Sequence, residues 1–124
     1  MKKNGKKILI IDDEPDIAET MKMLIEREGY KVEYVLDPRK GIEKIKGFDL
    51  LLLDIIMPTM SGREVLAEMK KRGIDVSTIV VSAVGLPMEM ERELNGKYPG
   101  VGFVQKTEMH TILVNEVKKR MGAL

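Results

Sequence analysis

The sequence contains no cysteine, so disulfides, thiolate metal sites and a cysteine nucleophile are excluded. It also lacks a charge excess: 21 Lys and Arg residues against 20 Asp and Glu residues give a net charge of +1. Such a balance predicts no general attraction to nucleic acid or anionic lipid. No apolar run approaches the roughly 20 residues of a membrane span or the length of a signal-peptide core. We therefore expect a cytoplasmic protein that contacts neither nucleic acid nor membrane directly.

What is present suits one globular domain. The chain has 124 residues, of which 44% are hydrophobic and 33% are charged. A disordered chain would have fewer Ile, Leu and Val residues and a larger net charge. This length lies in the common range for one hydrophobic core. We expect residues 1–124 to form a single domain.

Short apolar runs recur along the chain with amphipathic stretches between them. This alternation predicts an α/β fold, with helices on both faces of a parallel sheet. The runs are Ile8–Ile11, Val32–Val35, Leu50–Leu53, Ile79–Val81 and Val101–Val104.

Capping signals place the starts of the helices between these runs. Pro15 suits a first helical position, and Asp37 before Pro38 is typical of an N-cap followed by that position. Ser61 and Glu64 have the spacing of a capping box, and Gly73 suits the end of that helix. The expected helices run from Glu14 or Pro15 to Gly29, from Asp37-Pro38 to near Gly47, from Ser61 to Gly73, from Met88 to Leu94 and from about Glu108 onward.

Three acids lie at the ends of two predicted strands. Asp12 and Asp13 close the first strand, and Asp54 closes the third. If the strand order is 2-1-3-4-5, the three carboxylates line one crevice at the carboxyl edge of the sheet. Two like charges about 4 Å apart repel by roughly 1 kcal/mol in water and about 4 kcal/mol at an effective dielectric of 20. A divalent cation would relieve this repulsion, and ligation by oxygen alone favours Mg²⁺.

A structural explanation of the same acids also exists. Asp12 or Asp13 can cap the first helix, although Glu14 beside Pro15 is available for that purpose. Asp54 could form a turn before Pro58. Asp54 is not needed as an N-cap, however, because Ser61 can cap the next helix. The joint pattern therefore favours a functional role for Asp54.

Four motifs are spread along the whole chain. They are the segments Ile8-Leu9-Ile10-Ile11-Asp12-Asp13-Glu14-Pro15, Leu51-Leu52-Leu53-Asp54-Ile55-Ile56-Met57-Pro58-Thr59-Met60-Ser61-Gly62, Val80-Val81-Ser82-Ala83 and Phe103-Val104-Gln105-Lys106. Through these motifs the sequence resembles the receiver domains of response regulators along its whole length. The resemblance implies a flavodoxin-like fold with a doubly wound five-stranded parallel sheet, in the order 2-1-3-4-5, and five helices.

The resemblance implies a role for each matching residue. Asp54 would be the phosphoacceptor. Mg²⁺ would be held, directly or through water, by Asp12, Asp13, Asp54 and the backbone carbonyl of Ile56. Ser82 would contact a phosphoryl oxygen and Lys106 would pair with the phosphoryl charge, while the rotamer of Phe103 would report the switch. Taken alone, Ser82 is explained by a local turn bond, Phe103 by core packing and Lys106 by a solvated surface.

Two positions depart from the family pattern or modify its chemistry. Thr107 follows Lys106, where most members have proline in a cis peptide bond. We expect either a trans bond with a shifted lysine or a strained cis bond, and Thr107 can serve as an N-cap. Ile56 brings no side-chain hydrogen bond to an attacking water, and we hypothesise that its bulk slows hydrolysis of the phosphoryl group.

The sequence therefore predicts a signalling switch, not an enzyme. A histidine kinase would donate the phosphoryl group, and an unidentified effector protein would bind the product, which we expect to be a monomer or weak dimer. Two alternatives stay open: a receiver-like scaffold that no longer uses phosphate, and a magnesium-dependent phosphohydrolase. The hydrolase would need a second acid or base, and Ile56 occupies the position where such an acid often lies.

Overall fold

The computed structural model describes residues 6–83 and 85–122, so the ends of the expected 1–124 domain lie outside the described residues. Its five strands form one parallel sheet in the order β2-β1-β3-β4-β5, as predicted. The strands are β1 Lys7–Ile11, β2 Lys31–Val35, β3 Leu50–Asp54, β4 Ser77–Ser82 and β5 Gly102–Gln105.

Five α-helices connect or follow the strands: α1 Pro15–Glu26, α2 Pro38–Ile42, α3 Gly62–Arg72, α4 Met88–Lys97 and α5 Val114–Arg120. Two short 3₁₀ turns, Ile45–Gly47 and Lys106–Glu108, and a π-helical turn at Met109–Leu113 complete the described chain. None of these helices is long and apolar enough to cross a membrane, within residues 6–83 and 85–122.

Alternate residues of the central strands feed two separate cores, one on each face of the sheet. Every residue of β3 is buried, because the strand has neighbours on both sides and helices above and below. One core joins the sheet to α1 and α5, and its buried strand residues are Ile8, Ile10, Val32, Leu50, Leu52, Ile79, Val81 and Val104. The other joins it to α2, α3 and α4, and its strand residues are Leu9, Ile11, Leu51, Leu53 and Val80.

The capping signals for α3 are confirmed at both ends. Ser61 Oγ accepts a hydrogen bond from the Glu64 backbone N–H at 3.2 Å, and Glu64 Oε1 accepts one from the Ser61 N–H at 2.9 Å. Gly73 ends the helix at φ 71°, a left-handed conformation that favours glycine. Seven residues separate the end of β3 at Asp54 from the start of this helix at Gly62, and Ile56 lies in that loop.

The ends of three other helices differ from the prediction. The predicted second helix is split by a break after Ile42, and α4 continues past Leu94 to Lys97. Thr107 is not an N-cap, because it lies within the 3₁₀ turn, where Gln105 and Glu108 form the capping box. The π-helical turn then delays the α-helical hydrogen bonding of α5 until Val114.

Candidate functional site

The three predicted acids meet at the carboxyl edge of the sheet. Ile11 of β1 pairs with Leu53 of β3, so the residues that follow, Asp12 and Asp54, lie side by side. Both side chains are buried, with 1% and 4% of their surface exposed. Asp13 joins them, and one carboxylate oxygen from each residue lies within 4.8 Å of the other two. The topology therefore brings together the acids that the sequence singled out.

Each of the two buried acids also accepts a hydrogen bond from the backbone N–H two residues further along the chain. Asp12 Oδ1 accepts a hydrogen bond from the Glu14 N–H at 2.9 Å, and Asp54 Oδ1 accepts one from the Ile56 N–H at 3.4 Å. The Asp54 bond is a local turn contact, and Ser61 is the residue that caps the next helix, so Asp54 has no capping role, as expected. Glu14 occupies the N-cap position of α1, for which the sequence made it available, but its side chain makes no capping hydrogen bond.

Lys106 enters the same crevice from the end of β5 and is 7% exposed. Its Nζ lies 2.7 Å from Glu14 Oε1, 2.9 Å from Asp12 Oδ2 and 3.5 Å from Asp54 Oδ2. The described residues contain no cis peptide bond, so the Lys106-Thr107 bond is trans and the lysine still reaches the acids. Sequence reasoning missed Glu14 as a partner of Lys106, and its place directly after Asp12-Asp13 was the available signal.

The charges in the crevice are unevenly matched. Burial and the neighbouring Asp12 charge raise the pKa of Asp54 to about 7, while Lys106 and the Ile56 N–H oppose this rise. Burial also raises the pKa of Asp12, against the Glu14 N–H and Lys106. Burial disfavours the charged form of Lys106, but Glu14, Asp12 and Asp54 outweigh it and raise the pKa of the ammonium. The single positive charge of Lys106 therefore does not balance the negative charges of the buried Asp12 and Asp54 carboxylates.

The donor set fits a hard divalent cation. Asp12 Oδ2 is buried and forms an ion pair with Lys106 Nζ at 2.9 Å, but it accepts no hydrogen bond from the described residues. Carboxylate and carbonyl oxygens at this edge are the ligands that Mg²⁺ prefers. A cation among Asp12, Asp13 and Asp54 would satisfy that oxygen and offset the burial of the acids.

The acids open into a crevice of about 430 Å³ that reaches solvent. Ile56 stands at this crevice with 68% of its surface exposed, so its side chain contributes bulk and no polar group. The crevice is lined by Asp13, Glu14, Asp54, Ile56, Met57, Pro58, Ala83 and Lys106.

Ser82 and Phe103 lie beside the crevice on β4 and β5. Asp54 pairs with Val81, so Ser82 ends β4 one residue beyond that pair, and it is 3% exposed. Ser82 and the half-buried Phe103 line a common cavity of about 110 Å³. A movement of one side chain would therefore alter the space available to the other.

The fold and the acid crevice define a class of protein. Residues 8–118 match the model of the response regulator receiver domain, and the chain belongs to this family. Receiver domains are switches of phosphorylation-dependent two-component signalling and not enzymes in the usual sense. Members of the family interact with histidine kinases and effectors, and they bind Mg²⁺ at an acidic pocket.

Three relatives illustrate the match. The chain is 29% identical over 102 residues to the uncharacterised transcriptional regulatory protein YbdJ of Bacillus subtilis, covering 82% of this chain and 44% of YbdJ. A CheY-like receiver domain protein of Methanospirillum hungatei is 28% identical, with a TM-score of 0.82 and 94% of each chain covered. The response regulator TrrA of Thermotoga maritima, solved in complex with Mg²⁺-BeF, is 32% identical, with a TM-score of 0.78, 93% of this chain and 98% of TrrA covered. The chain thus spans less than half the length of YbdJ.

Proposed function

We propose that Asp54 accepts a phosphoryl group from a histidine kinase in the presence of Mg²⁺, and that the phosphorylated form signals by altered binding to an effector protein. The observation that carries this proposal is the convergence of Asp12, Asp13, Asp54 and Lys106 in one crevice. We also propose that residues 1–124 act as one receiver domain, because both cores pack on a single sheet.

Asp54 is suited to be the nucleophile. One carboxylate oxygen is held by the Ile56 N–H, and the other lies 3.5 Å from Lys106 Nζ. An Asp54 oxygen would attack phosphorus as the bond to the donor imidazole nitrogen breaks, and that nitrogen keeps the electron pair. The carboxylate must be ionised for this step, and nearby positive charge favours the ionised form.

Asp12, Asp13, Asp54 and the carbonyl of Ile56 would hold Mg²⁺, directly or through water. When bound, the cation would supply positive charge against the negative oxygens of the transferred group. The complex of TrrA with Mg²⁺-BeF supports this assignment.

Lys106, Ser82 and Phe103 would convert phosphorylation into a change of surface. A phosphoryl group brings the site to roughly two negative charges, and Lys106 and Ser82 gain charge-assisted contacts by moving toward it. Ser82 would then leave part of the cavity that it shares with Phe103, and the aromatic ring could enter that space. Such coupling shifts a two-state equilibrium of the surface.

Two other functions have less support. A phosphohydrolase needs an acid or base near the phosphoryl group, and the exposed residue at that point of the crevice is the apolar Ile56. A scaffold that no longer uses phosphate would have no need of three converging acids and a buried lysine. We propose a monomer or weak dimer without direct nucleic-acid contact.

The test uses Mg²⁺ and acetyl phosphate as a small phosphodonor. Intact-mass measurement should show a gain of one phosphoryl group that survives acid and is lost in base. Asp54→Asn should abolish this gain, while Asp75→Asn, which removes an exposed acid away from the crevice, should not. Absence of the gain in the unmodified protein, or its survival in Asp54→Asn, contradicts the proposal.

A further inference from the structure

Glu14 makes the shortest of the three carboxylate contacts of Lys106. Its Oε1 lies 2.7 Å from Nζ and accepts a hydrogen bond, against 2.9 Å for Asp12 Oδ2 and 3.5 Å for Asp54 Oδ2. The contact joins the residue before α1 to the residue after β5, which are 92 positions apart in the chain. The proposed function gives this contact no role.

Glu14 differs from the other two partners in its exposure to solvent. Its side chain is 57% exposed, whereas Asp12 and Asp54 are 1% and 4% exposed. The Glu14 carboxylate can therefore leave Lys106 and be hydrated by solvent, whereas the buried carboxylates of Asp12 and Asp54 cannot. Because the Glu14 side chain makes no capping bond, its departure would leave the start of α1 unchanged.

We propose that Glu14 is a positioning residue that restrains Lys106 in the resting state and releases it when Asp54 gains the charge of a phosphoryl group. This inference rests on the proposed function. The lysine ammonium donates a hydrogen bond to Glu14 and forms ion pairs with Asp12 and Asp54. Added charge at Asp54 draws the ammonium inward, and the hydrogen bond to Glu14 is the one exchanged for water.

Replacing Glu14 should therefore favour the phosphoryl-bound arrangement. Glu14→Gln keeps the size of the side chain but removes the charge that competes for Lys106. Ion pairs with exposed groups are worth at most about 1 kcal/mol, so we expect the Mg²⁺-dependent affinity for beryllofluoride, a phosphoryl mimic, to rise about two- to fivefold. Fluorine NMR titration measures this affinity without any covalent step.

Two further variants separate restraint of Lys106 from a general charge effect. Asp16→Asn removes the same charge from an exposed side chain in the first turn of α1, and it should leave the affinity unchanged. In a Lys106→Met background, Glu14→Gln should have no effect, because the group through which it acts is gone. This double-mutant cycle gives a readout that a purely structural role of Glu14 would not produce.

The outcomes distinguish the inference from the function on which it rests. If the unmodified protein binds no beryllofluoride with Mg²⁺, the proposed function fails and the inference fails with it. If it binds, but Glu14→Gln behaves like Asp16→Asn or weakens binding, Glu14 does not restrain Lys106 and only the inference is overturned. If Glu14→Gln still raises the affinity for beryllofluoride in the Lys106→Met background, the inference is overturned as well.

Discussion

Replacing Asp54 with asparagine should stabilise the protein in a buffer free of divalent cations. The carboxyl is 4% exposed, and burial beside Asp12 raises its pKa to about 7 from an ordinary value of 3.8. The neutral form is therefore favoured in the folded state. The ionised Asp54 carboxylate therefore destabilises the folded protein. This destabilisation is absent below pH 3.8, grows as the pH rises toward about 7, and is complete above that pH.

The size of the effect follows from the same shift. A change of about 3 pKa units corresponds to about 4 kcal/mol, at 1.36 kcal/mol per unit. The measured gain should be smaller than this, because water and neighbouring groups relax around the ionised carboxylate. We expect Asp54→Asn to gain about 1 to 2 kcal/mol near pH 8, which raises Tm by about 5 °C in a domain of this length.

Thermal unfolding of the unmodified protein and of Asp54→Asn measures this gain in stability. Both are unfolded in buffer that contains a metal chelator, at about pH 5 and at about pH 8. The gain should be smaller at the lower pH, where the carboxyl of the folded protein is already largely protonated. Adding Mg²⁺ should raise Tm of the unmodified protein more than that of Asp54→Asn, because the cation loses a ligand in the variant. A loss of stability in Asp54→Asn near pH 8, or a gain that does not change with pH, would refute the reasoning.

Two other predictions concern the loop after β3. Ile56→Asn should shorten the lifetime of the phosphorylated protein after removal of the donor, because a polar side chain at the crevice can orient water. Ile56→Val, which stays apolar, should change this lifetime little. An unchanged lifetime in Ile56→Asn contradicts the proposed shielding. Ser61→Ala should lower the free energy of unfolding by about 1 kcal/mol in urea titrations, because it removes the N-cap of α3. Thr59→Ala, at an exposed position of the same loop, is the control, and an equal loss there would contradict the capping argument.

The strands were predictable because they depend on a simple periodicity, whereas the strand order behind the acid crevice was what the resemblance to receiver domains implies. Continuous apolar runs such as Leu50–Leu53 identify strands that are buried on both faces. The strand order then places Asp12 and Asp54 at one edge, which the register confirms. The start of α3 was predictable for a local reason, since Ser61 and Glu64 satisfy each other within one turn.

The contacts of Lys106 were not predictable from sequence alone. The hydrogen bond to Glu14 joins residues 92 positions apart, and no local pattern encodes such a distance. The start of α5 was also misjudged, because Thr107 has the composition of an N-cap but Gln105 and Glu108 close the turn instead. The cytoplasmic location stays a prediction.

The identity of the modified residue tests the central claim most directly. After reaction with acetyl phosphate and Mg²⁺, borohydride reduces an aspartyl phosphate to homoserine, and peptide mass mapping locates the reduced position. We predict that reduction occurs at Asp54 alone and requires Mg²⁺. Modification at Asp12 or Asp13, or no modification of any residue, would contradict the assignment of Asp54 as the phosphoryl acceptor.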